Sequence, residues 1–421
     1  MNKKTSVLII SVLFAVNLFC ATKEEKQLAK AQSFYNSKGY EKYISYVSEK
    51  TYFAVRDEND NGATPLLLSI KKLNGIDFEF FIEKGASYSE TDNNGLDLID
   101  YCLATKNEQI INYIFEKLPS NYLFQTNNKG ILNVTRIITE YQNYNFLKQF
   151  IAKLDNVNIT SNTGKTLLMC AAQCNPDVRV IKQLIDQGAD LLAENENNWT
   201  AIMYAARYNP NPYIFEDLLL RGSNTESNIY GISLLMLAAC NPNPGVLLTA
   251  LRYLSNINDT TLEGKTALMY ACENQQVVEH INLLINNNAN INSTDNEGKT
   301  ALMYALENYT TPDIAYFLIS AGADCTAEDK NGNTVSDYLQ NNVSLKKSEL
   351  NKILELSQNN SDNNIIEDSL TIQIENNYET EEVSSEKIDN NEFIETENKV
   401  DSVYSSVEIP DGENDESKDI N

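Results

Sequence analysis

The sequence predicts an all-α chain in which about nine helix pairs, joined by tight turns, stack into a solenoid. Three regularities carry this reading. Gly62, Gly95, Gly130, Gly164, Asn198, Gly231, Gly264, Gly298 and Gly332 recur at intervals of 33 to 35 residues. Every methionine after the initiator (Met169, Met203, Met236, Met269, Met303) stands five residues beyond one of these pivots. The octapeptide GKTALMYA occurs at Gly264–Ala271 and again at Gly298–Ala305, 34 positions apart. A cofactor has no use for five ligands at one pitch, whereas stacked helices do, and burying each Met is worth about 1.5–3 kcal/mol.

The elements follow in order. Lys3 and Lys4 precede a short apolar run at 7–15, which reads as a secretory signal over residues 1–21 rather than a membrane span. Phe19 is bulky for the site before Ala21, and a lipid-modified Cys20 is the alternative. No other apolar run is long enough to cross a membrane. Residues 22–58 predict two polar-faced helices, Lys23–Tyr35 and Tyr40–Ser48, that cap the array. Solenoids need such outer faces for solubility.

Within each unit the pivot is Gly or Asn, residues suited to positive φ. Three residues before it stand Asn59, Asp92, Asn127, Ser161, Asn195, Asn228, Thr261, Asp295 and Asp329, each able to close a turn on its own backbone. Two residues after most pivots comes a hydroxyl (Thr64, Thr166, Thr200, Ser233, Thr266, Thr300, Thr334) suited to helix N-capping. Second helices are expected over Val178–Ile185, Tyr213–Leu220, Glu279–Ile285 and Asp313–Ile319. Pro176, Pro210, Pro212, Pro242, Pro244 and Pro312 cluster before them, and Gly85, Gly188, Gly222, Asn288 and Gly322 stop the helices.

Turn, helix, loop, helix in about 33 residues resembles the ankyrin repeat. Gly298–Ala305 answers to that family's G-x-T-P-L-H-x-A, and Ala321–Asp324 to its G-A-D. The match is strong from about 161 to 334, and the region 161–356 closes with a C-terminal cap that runs after Gly332 through Leu345–Leu356. It is weaker over 59–160, where Leu96, Asp97 and Ile131, Leu132 replace the usual x-T. The family's His after the Leu is Met or Leu here, so packing is expected to replace its bonds between units and loosen the array.

The net charge is −26, of which the last 65 residues, 357–421, carry −16. That segment is rich in Asn, Ser and Glu and lacks periodicity, so it reads as a disordered acidic tail; islands such as Asn391–Ile394 could dock. A chain so acidic is repelled by nucleic-acid phosphates and by anionic lipid headgroups.

Chemical motifs dissolve on inspection. A phosphate-binding loop needs Gly five residues before each Gly-Lys-Thr, and those positions are Ile159, Asp259 and Ser293. Lys165, Lys265 and Lys299 therefore read as exposed turn-tip residues. Asp57–Gly62 matches half a calcium loop, but Leu68 stands where the bidentate Glu belongs. His280, the only histidine, sits at the buried phase of Val180, Ile214 and Ile314. Cys102, Cys170, Cys174, Cys240, Cys272 and Cys325 mostly fall at core phases, and read as small buried thiols rather than a disulfide framework. No carboxylate pair stands out, and neither a metal nor a cofactor is expected.

The resemblance implies recognition of a protein, by a monomer, along a concave groove lined by turn tips and first helices. One stretch of that groove is unusual. Trp199, Arg207, Tyr208, Ile229, Tyr230, Ile232 and Leu262 gather aromatic, apolar and Arg side chains on neighbouring units, the composition of an interface hot spot. Export would place it in the periplasm or outside the cell. A lipid-tethered envelope scaffold, or an enzyme with an unrecognised carboxylate site, are the alternatives.

Overall fold

The computed structural model describes residues 23–342, apart from 49, 128–129, 275–277 and 309–312. The expected signal and Cys20, the 345–356 cap, Pro312 and the acidic tail lie outside the described residues. Within them are twenty α-helices and no strand; isolated antiparallel bridges, such as Thr294 to Thr300, pin the turns.

The helices expected within the described residues are present. The leading helices run Lys23–Lys38 and Tyr40–Ser48 and bury Ala31, Tyr35, Tyr43 and Val47 against the first unit. Eight helix pairs follow, for example Leu167–Cys174 with Val178–Asp186, and Ala201–Tyr208 with Pro212–Leu220. Val335–Asn341 opens a ninth unit. First helices pack on first helices of the next unit and second on second, which makes the solenoid. Met169, Met203, Met236, Met269 and Met303 are all buried.

All nine pivots have positive φ, 72 to 82° for the glycines and 55° for Asn198. A side chain at Gly264 would also put its Cβ 2.8 Å from the Asn296 nitrogen, so neighbouring turns touch through glycine. Hydrogen bonds run along these tips. The carbonyl before one pivot accepts from the N–H two residues before the next: Tyr230 from Leu262 (3.0 Å), Glu263 from Asn296 and Glu297 from Lys330 (both 2.8 Å).

Three expectations about the turns need correcting. In the first unit Asp57, not Asn59, closes the turn, accepting from the Asn59 N–H. Asp97 performs the capping expected of a threonine, in a reciprocal box with Asp100. Thr200 caps nothing: its hydroxyl is buried and has no partner.

The array is also better tied than packing alone would make it. The sulfurs of Met169, Met236, Met269 and Met303 each accept from the backbone N–H of their own unit's cap residue, as in Thr166 to Met169 at 3.4 Å and Thr300 to Met303 at 3.5 Å. Units are joined by buried asparagines. Asn209 donates to the Ala172 and Asn175 carbonyls at 3.0 and 2.9 Å, and Asn241 to those of Ala206 and Asn209, both at 2.9 Å. These amides close helix ends that would otherwise leave carbonyls buried and unpaired. On the far side of the units, Asn158, Asn258 and Asn292 staple one unit to the Gly188, Asn288 and Gly322 carbonyls of the next.

Candidate functional site

The face formed by turn tips and first helices is built on one repeated position, six residues past the pivot. Tyr101, Tyr204, Tyr270, Tyr304 and Tyr338 occupy it. A first-helix side chain there reaches back to the turn-closing residue of its own unit. Tyr304 donates to Asp295 (2.7 Å), Tyr338 to Asp329 (2.9 Å), and Asn195 donates to Tyr204 (2.9 Å). Burial holds the Tyr204 and Tyr270 hydroxyls at about 12, so both stay neutral. Composition alone gave no reason to single out these tyrosines; alignment on the pivots shows their recurrence.

Lysines thread between the rings, and here the expectation of exposed tip residues is wrong. Lys165, Lys265 and Lys299 are half-buried, the Lys265 side chain being only 16% exposed. Their stems lie along apolar surface while Nζ finds ring faces. Lys165 lies 4.2 Å from the Tyr204 centroid, Lys265 lies 4.8 Å from Tyr304, and Lys299 lies 5.4 Å from Tyr304 and Tyr338. Lys265 pairs with Glu273 at 3.0 Å and Lys299 with Glu307 at 2.8 Å.

The two units after Asn198 and Gly231 break this pattern. Where the lysine belongs they carry Trp199 and Ile232, and Leu237 replaces the tyrosine. Asn228 Nδ2 is consequently buried with no partner. Asn198 carries a Cβ that a glycine would not, and no bond joins its tip to the next between Asn197 and Ile229 among the described residues. The outer staple is missing too, because Leu192 and Thr225 stand where Asn158 and Asn258 stand in their units.

The structure divides the sequence-predicted site in two. Trp199 is half-buried rather than free, its ring 5.1 Å from Tyr204 and stacked on Tyr208 at 6.2 Å. Arg207 lies 5.4 Å from the Tyr208 centroid and donates to the Cys240 carbonyl (2.5 Å) and to Asn274 (3.5 Å). Trp199, Arg207 and Tyr208 thus come together, with Tyr204 and Lys165 as neighbours that sequence reasoning did not include. The second group is the tips. Leu262, Ile229 and Tyr230 are 71%, 56% and 50% exposed, while Ile232 is turned partly into the core.

Other reactive groups are withdrawn from solvent. His280 is fully buried, its Nε2–H donating to the Asn241 carbonyl at 2.9 Å, and burial lowers its pKa. All six described cysteines are unpaired, and burial raises Cys170 and Cys240 to about 11; Cys174 alone is exposed. No helix of the described residues is long and apolar enough to cross a membrane.

Comparison with known proteins matches residues 136–229 and 235–329 to the family model "Ankyrin repeats (3 copies)". Among solved structures, the human ASB11 ankyrin repeat domain is similar over 53% of this chain and 96% of its own, at 18% identity and a TM-score of 0.46. No curated protein matches.

Proposed function

We propose, from the ankyrin repeats matched over residues 136–229 and 235–329, that the chain is a protein-interaction scaffold that binds a protein partner without catalysing a reaction. The observation that carries this is the interruption of the Tyr–Lys ladder at two adjacent units, where Trp199 and Tyr208 stack beside the exposed tips of Ile229, Tyr230 and Leu262. Large aromatic and apolar groups in solvent, beside an Arg, favour association because each removes apolar area from water at small entropic cost.

The proposed setting is the periplasm or the exterior of the cell, supported by the basic and then apolar pattern of residues 1–21. Palmitate labelling with fractionation would distinguish a tether at Cys20 from a cleaved signal. Affinity capture from the native envelope, with a Trp199→Ala/Tyr230→Ala variant as control, tests the reading. Trp199→Ala should weaken the recovered partner by at least about 2 kcal/mol, some thirtyfold. Equal affinity of the wild-type chain and the double variant for every recovered partner would overturn it.

A further inference from the structure

Among the described residues, the cations along the first-helix face from Arg136 to Lys299 fall into two classes. Arg136 is locked to Asp97 at 2.5 Å and to Asp100. Lys265 and Lys299 are held by Glu273 and Glu307. Lys165 and Arg207, the two nearest the Trp199–Tyr204–Tyr208 stack, have no carboxylate partner among the described residues. Lys165 rests on the Gln173 side-chain oxygen and the Tyr204 ring. Arg207 rests on the Cys240 carbonyl, Asn274 and the Tyr208 ring. Gln173 and Arg207 stand nine residues past their pivots, where Glu273 and Glu307 stand in theirs. The carboxylate is therefore missing both in the unit that carries the aromatic stack and in the unit before it.

Half-buried cations have lost part of their hydration and are ordinarily compensated by a counter-charge. Neutral oxygens and ring faces compensate them less well than a carboxylate, which bonds an Arg in parallel pairs. Repulsion from the chain's net charge of −26 is screened over about 8 Å at physiological salt, so contact chemistry decides at close range. The tips beside the patch carry acids, Glu194, Glu196 and Glu263, so a partner's carboxylates are favoured over the helices and not over the tips.

We propose that the occupant of this face is a peptide segment with an aromatic or aliphatic anchor seated on Trp199 and Tyr208, and with carboxylates that supply the counter-charge Lys165 and Arg207 lack. This rests on the protein-recognition reading and gives it a ligand chemistry.

A random peptide library displayed on phage, selected against the full chain, tests it. Enriched peptides should pair an apolar anchor with Asp or Glu. Measured as synthetic peptides, their affinity should fall about tenfold in Lys165→Gln and again in Arg207→Gln. It should change less than about twofold when the more distant pair is neutralised together as Lys299→Gln/Glu307→Gln. Circular dichroism melts check folding; Lys165→Gln, at the rim, carries the test if Arg207→Gln unfolds. Peptides that need Trp199 but carry no acids, or that bind Lys165→Gln unchanged, leave the recognition reading standing and sink this inference. No enrichment that depends on Trp199 or Tyr230 sinks both.

Discussion

The junction between the units of Gly95 and Gly130 and the junction between those of Gly264 and Gly298 solve one problem in opposite ways. At the position six past the pivot the first places Arg136, the second Tyr304. Arg136 is 3% exposed and reaches into the preceding unit, to the Asp97 that caps that unit's first helix and to Asp100. Burial pushes the Asp100 carboxyl up, with Arg136 opposing. Tyr304 instead donates within its own unit and stands between Lys265 and Lys299, whose partners are at the surface. A buried ion pair costs desolvation at both ends and is strongly destabilising when halved. Half-exposed pairs cost little and contribute little. Equivalent positions in a repeat can therefore carry very different energetic risk.

That contrast can be broken by substitution. Arg136→Met leaves the buried Asp97 and the half-buried Asp100 without a counter-ion and should cost about 3–5 kcal/mol, read from the first phase of urea unfolding. Repeat arrays need not unfold in one step, so an equal shift of every phase would contradict this local account. Next in size, Asn209→Ala strips donors from two buried carbonyls and should cost about 2 kcal/mol; Asn258→Ala, exposed on the outer side, should cost about 1 kcal/mol or less. Equal costs would mean that burial is not what gives the inner asparagines their weight.

His280 sharpens the comparison through pH. Burial lowers its folded pKa below the ordinary value of about 6.5, so the unfolded chain takes up the proton first. Stability contributed by the neutral ring is present above about pH 6.5 and is lost as pH falls toward the folded pKa. The slope is at most about 1.4 kcal/mol per pH unit. Denaturant midpoints across that window should fall less steeply in His280→Leu than in the parent, and matching slopes would refute the assignment. Smallest is the capping contrast. Thr166→Val should cost about 1 kcal/mol, since its hydroxyl accepts from the Met169 N–H, whereas Thr200→Val should be neutral within about 0.5 kcal/mol or stabilising.

Much of this architecture was legible in one dimension because glycine, asparagine and methionine respond to local demands. Positive φ at the turn, an N-cap hydroxyl and an apolar phase are properties of a few consecutive residues, so the 33-residue pitch and the helix pairs could be read directly. The site was legible only in part. Trp199, Arg207 and Tyr208 were visible as an unusual local composition, but Tyr204 and Lys165 were not. Lys165 faces Tyr204 across 39 positions of chain, and its half-burial follows from the neighbouring unit and not from its own turn.

The same distinction holds for the whole protein. The chain by itself determined where turns and helices fall, and that a stack of them must bury the methionine row. Stacking alone decided that the asparagines bind the units together, that the lysines are drawn between rings, and that two cations find no carboxylate among the described residues. Those outcomes depend on which side chains meet across a junction and how much water remains there. Neither quantity is encoded at a single position, because each is a property of two units packed together.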